Sequence, residues 1–140
     1  MLTRLPSEFW DVRYVGARFP GSPAVAAEPG IAAGANCQLF AYQVLMHFGL
    51  DAPALRSSEL WADTEWTTRV PAARPLDLVL FNATGDAWGA HVGVWVDDDQ
   101  VLHLSDEVGY PVVWSMDDFA ARARYRTLIG FKRVTRRLVE

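Results

Sequence analysis

The sequence has little cysteine, little charge and no long apolar run, and each shortage excludes a class of protein. A single cysteine, Cys37, cannot form an internal disulfide, so packing alone must hold the fold. Charged residues make up 21% of the 140 residues and the hydrophobic set 51%, a balance typical of a globular chain. The formal charge of −4 gives no general attraction to nucleic acid or to an anionic membrane surface, so neither is expected as a partner.

The sequence also shows no pattern typical of a targeting segment or a membrane-spanning segment. No apolar run approaches the ~18 residues that a helix needs to span a bilayer. The segment from Met1 to Trp10 has neither a continuous apolar stretch nor a small-residue cleavage site, so it is not a secretory signal. We therefore expect one domain over residues 1–140 and a cytoplasmic protein by default. Delivery to the cell wall by another route, and an origin in a longer precursor, remain open.

The segment that begins at Cys37 is predicted to be a helix. Asn36 is a suitable N-cap residue, and Gly49 suits the left-handed position that ends a helix. Apolar residues recur between them at helical spacing, namely Phe40, Ala41, Val44, Leu45 and Phe48. The thiol therefore lies in the first helical turn, where unpaired N–H groups and the helix dipole favour a thiolate.

The remaining pattern predicts an α+β fold, with helices first and an antiparallel meander after them. Residues 20–35 are predicted to be a loop packed on the body, and a short helix is expected from Ser57 or Ser58 to Trp61. The later elements are expected to be a buried strand over 76–81, a hairpin over 92–96 and 100–105, an edge strand over 111–114, a helix from Ser115 to about Ala123 with Asp118 in its capping box, and a strand over 128–134.

The hairpin predicts where two of the three histidines lie. One face must bury Val92, Val94, Val96, Leu102 and Leu104. This requires a loop with an odd number of residues, most simply Asp97–Asp99, which pairs Gly93 with His103 and His91 with Ser105. Both histidines then lie on the opposite, open face as diagonal neighbours within side-chain reach.

A lone thiol and two adjacent histidines indicate a cysteine nucleophile. Cys37 would attack a carbonyl group, His91 would act as the general base, and His103 would orient His91. An imidazolium at His91 would lower the pKa of the thiol further, giving an ion pair. Water would then release the acyl group from the enzyme.

These residues resemble the NlpC-type cysteine peptidases, a papain-like family whose members mostly cut peptidoglycan stem peptides. The resemblance covers roughly residues 14–134. Its matches are Cys37 at a helix start, the strand beginning Pro75-Leu76-Asp77-Leu78, the segment His91-Val92-Gly93-Val94, and His103. The resemblance implies a papain-like α+β fold, with the nucleophile helix packed on an antiparallel sheet. It also implies amide hydrolysis by a cysteine peptidase or amidase without a cofactor.

The flanks of the nucleophile differ from the family pattern. The family commonly has Asp-Cys-Ser-Gly, and this chain has Asn36-Cys37-Gln38-Leu39. In members that cut peptidoglycan, the Asp and Ser help to hold the amino end of the stem peptide. Oxyanion or substrate contacts are expected from four residues, which are Tyr14, Asn36, Gln38 and Trp88. The expected partner is a peptide or a small amide, and the oligomeric state is not indicated.

Several alternatives remain open at this point. Cys37 is a buried apolar residue in one of them, and the histidines are ordinary core residues. In another, Cys37 and the two histidines bind zinc, although the usual close pair of ligands is missing. Acyl transfer to a second nucleophile, or a silent binding domain with the same fold, are the functional alternatives. The basic residues between Arg122 and Arg137 are expected to form a solvated face, with an anionic partner as the alternative.

Overall fold

The computed structural model describes residues 1–139, which form four α-helices and six β-strands. The helices are α1 (Pro23–Ala27), α2 (Cys37–His47), α3 (Ser57–Ala62) and α4 (Met116–Ala120). The strands are β1 (Thr67–Val70), β2 (Leu78–Asn82), β3 (His91–Asp97), β4 (Gln100–His103), β5 (Val112–Ser115) and β6 (Thr127–Val134). They form one antiparallel sheet in the order β1-β6-β2-β3-β4-β5, which confirms the predicted α+β class.

Helix α2 covers one face of the sheet and forms the main core there. Its buried side chains pack against the alternate residues of β2, β3 and β4, including Leu80, Val92, Val94 and Leu102. All four are fully buried. Burial of each such side chain contributes about 1.5–3 kcal/mol. This core is the reason why the first residue of α2 is held next to the start of β3.

The ends of α2 are set by the two residues that the sequence indicated. The Asn36 Oδ1 atom accepts a hydrogen bond from the N–H of Leu39 at 2.8 Å, so the helix begins at Cys37. Gly49 follows the last turn with φ 89°, a left-handed conformation that favours glycine. Both predictions are confirmed.

The opposite face of the sheet is also covered, so the prediction of an open face is wrong. Phe119 of α4 and Tyr125 of a short 3-10 helix (Ala123–Tyr125) pack on it. The Phe119 ring stacks on Phe81 at 4.1 Å. The alternate residues of β2 and β4, such as Val79 and Phe81, are themselves apolar, and burying them requires this second layer.

The turn of the hairpin is shorter than predicted, although its register is correct. Asp97 pairs with Gln100, so the loop has two residues, Asp98 and Asp99, both with positive φ (42° and 61°). A bulge between Trp95 and Asp97 then absorbs the extra residue. Beyond it Trp95 pairs with Val101 and Val94 with Leu102, as the buried pattern required. The predicted His91–Ser105 pair lies beyond the end of β4.

Several element boundaries differ from the sequence prediction, and one strand is additional. Strand β2 begins at Leu78, because Leu76 has φ 77° and the Asp77 carboxylate accepts the N–H of Arg74 in a turn. Helix α4 ends at Ala120, and the chain then continues to the separate 3-10 helix. Strand β1 was not predicted.

The segment 20–35 contains the short helix α1, which the loop prediction missed. The Arg18 side chain lies beneath this segment with 5% exposure. It donates four hydrogen bonds to backbone carbonyl groups there, those of Gly34, Ala24, Glu28 and Gly30. The segment is therefore packed on the body, as expected from its low charge.

Candidate active site

Cys37 and His91 line the same cavity, which has a volume of about 270 Å³. Cys37 comes from the first turn of α2, on one side of the sheet. His91 pairs with Phe81 and so lies on the other side, at the first residue of β3. The two side chains therefore line the cavity from opposite sides of the sheet. Tyr14, the third predicted residue in the lining, comes from the N-terminal segment.

The thiol of Cys37 is protonated in the free protein at neutral pH. Cys37 is only partly exposed, and burial raises the pKa of its thiol above the ordinary value. The backbone N–H groups of Val92, Gln38 and Cys37 itself lower the pKa, but by less than burial raises it. The N–H groups at the helix start thus favour a thiolate, as predicted, but burial of the thiol outweighs them.

His91 and His103 form a buried, directly bonded pair. The Nε2 atom of His91 lies 2.9 Å from the Nδ1 atom of His103, with the rings nearly perpendicular at 88°. His91 is 8% exposed and His103 only 1%. This bond occupies Nε2 of His91, so Nδ1 is the ring nitrogen left to exchange a proton with the thiol.

Both histidines are neutral over the physiological range. Burial, and next the positive charge of Arg124, lower the pKa of His91 to about 3. Burial, and next the neighbouring His91, lower the pKa of His103 to about 2. Burial of both groups therefore opposes the expected thiolate–imidazolium ion pair in the free protein. Consistently, within residues 1–139 no hydrogen bond joins the Cys37 thiol to either ring.

The surroundings of His103 favour one tautomer of the pair. Its Nε2 atom is buried and has no hydrogen-bond partner among residues 1–139. The ring lies 4.3 Å from Trp114 and 4.6 Å from Phe119, measured between ring centroids. An N–H group there can interact with the aromatic electrons, whereas a bare lone pair gains nothing from them. We therefore assign the proton to Nε2 of His103, which makes Nδ1 an acceptor and leaves Nδ1 of His91 unprotonated.

Two backbone contacts fix the position of Tyr14. Its N–H donates to the carbonyl group of Gly109 at 2.9 Å, and it forms an isolated parallel bridge with Ala35. Burial, and next the nearby Cys37, raise the pKa of its hydroxyl group. Tyr14 therefore offers a neutral O–H donor to the cavity.

The other three predicted contact residues lie outside the cavity lining. Asn36 is 7% exposed, and its side chain caps α2. Gln38 is 3% exposed, and its Oε1 atom is buried without a hydrogen-bond partner in the described chain. Trp88 is 75% exposed and lies one residue before the lining residue Gly89. The structure thus brings Cys37, His91 and Tyr14 together and leaves these three apart.

Sequence reasoning missed the charged residues of the cavity, Asp106 and Arg124. They form an ion pair with 2.8 Å between carboxylate oxygen and guanidinium nitrogen. Arg124 belonged to the basic cluster, and Asp106 follows β4, but no spacing rule joins these segments. The cluster is not one solvated face, since Lys132 is fully buried and Arg133 binds the buried Asp77 at 2.8 Å.

The described residues do not assemble a metal site. No group of three His, Cys, Asp or Glu side chains in residues 1–139 converges as ligands. His91 and His103 use one ring nitrogen each for their mutual bond, so the zinc alternative lacks a donor set in this region. No helix in the same range is long and apolar enough to cross a membrane.

Comparison with known proteins identifies the fold. No family model and no curated protein matches the chain. Among solved structures, the chain is similar to the crystal structure of the NlpC/p60 domain of peptidoglycan hydrolase SagA, with 22% sequence identity and a TM-score of 0.50. The match covers 92% of this chain and 93% of that one. The chain therefore has the NlpC/p60 fold, as the resemblance in its sequence implied.

Proposed function

We propose that the protein is a cysteine hydrolase that cleaves an amide bond, with Cys37 as nucleophile and His91 as general base. One observation carries the proposal: Cys37 and His91 line one cavity of an NlpC/p60 fold, and a buried partner holds the His91 ring. His103 does not line the cavity, so it is a positioning residue. A silent binding domain has no need of a base held in one tautomer.

The chemistry begins from a neutral pair. As the sulfur attacks the amide carbon, the thiol proton passes to Nδ1 of His91 and a C–S bond forms. His91 then gives this proton to the amide nitrogen, the C–N bond breaks, and the amine leaves. Water loses a proton to His91 and attacks the thioester. The C–S bond breaks, the carboxylic acid leaves, and His91 returns the proton to the sulfur.

The start of α2 and Tyr14 support the negative charge that develops on the carbonyl oxygen. The first N–H groups of a helix have no partner within the helix, and the one at Cys37 adjoins the reacting sulfur. The neutral Tyr14 hydroxyl group lines the same cavity and can donate a second hydrogen bond. Donors held in place before the reaction stabilise an oxyanion more than mobile water does.

The substrate class is proposed from the structural neighbour. The neighbour is named as a peptidoglycan hydrolase, so a peptide of the peptidoglycan stem type is the first substrate to test. Asn36 and Gln38 are buried outside the cavity lining, however, and so do not offer the contacts that the family's Asp and Ser provide. This observation favours a second candidate, hydrolysis or transfer of another acyl group.

Turnover and trapping of the acyl-enzyme test the proposal together. Purified protein is incubated with stem peptides and with simple amides and thioesters, and intact-mass spectra are taken to find acyl groups on Cys37. We expect Cys37→Ala to abolish turnover and His91→Gln to reduce kcat/KM about 100-fold or more. The exposed His47 on α2 supplies the matched control, and His47→Gln should retain full activity. Turnover that survives in Cys37→Ala, or no acylation by any compound, would overturn the proposal.

A further inference from the structure

Arg124 brings a positive charge into the cavity of Cys37. It lies on the 3-10 helix Ala123–Tyr125 and lines the cavity together with Cys37 and His91. Within residues 1–139, the charged side chains of this lining are Arg124 and Asp106. The charge of Arg124 reaches the base, because it is the second cause of the low pKa of His91.

Most of the donors of Arg124 are unused. A guanidinium group has five N–H donors, and within residues 1–139 the only ionic partner of Arg124 is Asp106, through Nη2. Its Cζ atom also lies 4.9 Å from the centroid of the Tyr125 ring, a contact that uses none of these donors. The arginines that serve the fold differ, since Arg18 makes four hydrogen bonds to carbonyl groups and Arg133 is bound through two nitrogens to Asp77. Arg124 is therefore equipped to bind a further acceptor.

The ion pair with Asp106 does not prevent such binding. The Arg124 and Asp106 side chains are 49% and 53% exposed, and an ion pair in that setting is weak. The Tyr125 ring beneath the guanidinium group and the contact with Asp106 together limit the positions that the group can take. A planar fork held in this way matches a carboxylate, which can accept two parallel hydrogen bonds.

We propose that Arg124 selects acyl groups that carry a carboxylate close to the carbonyl group attacked by Cys37. This selectivity rests on the proposed function. The positive electrostatic potential of Arg124 at the Cys37 thiol, however, can be measured without any substrate. A cavity that instead used Asp106 to bind cationic groups would show the opposite preference.

Two alkylating reagents that differ in charge provide the test. Iodoacetate and iodoacetamide react at the same carbon, and Cys37 is the only cysteine in the chain, so intact-mass spectra report its rate directly. We expect Arg124→Gln to lower the ratio of the iodoacetate rate to the iodoacetamide rate about 5-fold, because one positive charge near the sulfur is lost. The iodoacetamide rate itself should change less than about 2-fold.

Arg122 offers a matched control, since it pairs with Glu107 at 2.7 Å and lies outside the cavity lining. Arg122→Gln should leave the ratio unchanged, and Asp106→Asn should raise it by removing the opposing charge. An unchanged ratio in Arg124→Gln would overturn the proposal, as would an equal fall in both arginine variants. If Arg124→Gln does not fold, Asp106→Asn decides, since an unchanged or lowered ratio there also overturns it.

A pair of amides separates this proposal from the proposed function. Succinyl and butyryl p-nitroanilides differ in one carboxylate, and we expect kcat/KM to favour the succinyl compound in the wild-type protein about 5-fold or more. This preference should disappear in Arg124→Gln. Equal cleavage of both compounds by the wild-type protein would leave the hydrolase standing and overturn the role of Arg124. If neither anilide is cleaved but the ratio of the iodoacetate rate to the iodoacetamide rate still depends on Arg124, the proposed hydrolase function alone is overturned.

Discussion

The His91–His103 pair joins two residues with different surroundings. His91 faces the cavity, where a proton can enter and leave. His103 is enclosed by Trp114 and Phe119, where no protein acceptor among the described residues reaches its Nε2 atom. The enclosed His103 ring therefore determines the proton position of the His91 ring that faces the cavity, since one hydrogen bond joins the two rings.

The ring nitrogens report this tautomer directly. In nitrogen-15 NMR spectra at pH 7, we expect His91 to be protonated at Nε2 and unprotonated at Nδ1, and His103 to be protonated at Nε2. The physical reason is that an N–H group, but not a lone pair, interacts favourably with the aromatic rings around His103. A His91 ring protonated at Nδ1 would contradict the assignment and would leave no base next to the thiol.

The pH dependence of Cys37 alkylation tests the state of the thiol. Since burial raises the pKa of Cys37, the rate of reaction with iodoacetamide should rise with pH through a single inflection above about 8.5, the ordinary value for a thiol. His91→Gln should leave that inflection nearly unchanged, because His91 is neutral in this range. An inflection below pH 7 that disappears in His91→Gln would instead show that Cys37 and His91 form a thiolate–imidazolium ion pair.

At the scale of elements, the close antiparallel pairing of β3 and β4 holds the histidines together. Gly93 lies in the middle of β3, where it is closely surrounded by β4. A Cβ atom at this position would lie 2.5 Å from Cγ1 of Val101 and 3.3 Å from Cβ of His103. The absence of a side chain at Gly93 thus allows the strand that carries His103 to approach closely.

The variant Gly93→Ala should separate these strands. We expect the free energy of unfolding in urea to fall by about 1–3 kcal/mol, because the added methyl group forces Val101 and the backbone of β4 to move. The NMR signals of His103 should shift as well. Gly85→Ala is the control, since a Cβ atom there meets nothing within 4 Å, and its unfolding midpoint should stay within error. A stable Gly93→Ala protein would show that β4 has room to adjust.

For the whole molecule, burial of two neutral histidines connects stability to pH. Their pKa values of about 3 and about 2 in the folded protein lie far below the ordinary value of 6.5. The unfolded chain therefore binds more protons below pH 6.5, and folding becomes less favourable as the pH falls. This stability is complete above pH 6.5 and is lost progressively toward pH 3.

Urea unfolding at pH 7, 6 and 5 measures the effect. Each buried histidine should lower the free energy of unfolding by about 2 kcal/mol between pH 7 and pH 5. His103→Asn should remove about half of this dependence, whereas His47→Gln, at an exposed position, should retain all of it. A free energy of unfolding that stays constant from pH 7 to pH 5 would mean that the two rings are not buried in neutral form.

Local signals in the sequence predicted much of the fold. Each of these signals acts over no more than four consecutive residues. They are the Asn36 cap, the glycine that ends α2, and the capping box of Ser115 and Asp118. The register of β3 and β4 followed from alternation, because a shift by one residue would expose every buried valine. The turn length was missed, since a bulge at Val96 keeps the same faces buried with a shorter loop.

The sequence by itself determined which side chains are candidates for the chemistry. It also determined that His91 and His103 share a face, because periodic burial allows one arrangement. Only the tertiary structure decided the electrical state of these groups and the cavity around them. The neutral thiol and imidazoles follow from layers packed on both faces of the sheet, and Arg124 reaches the cavity from a distant segment. Desolvation depends on everything that surrounds a group in space, and no local pattern in the chain encodes it.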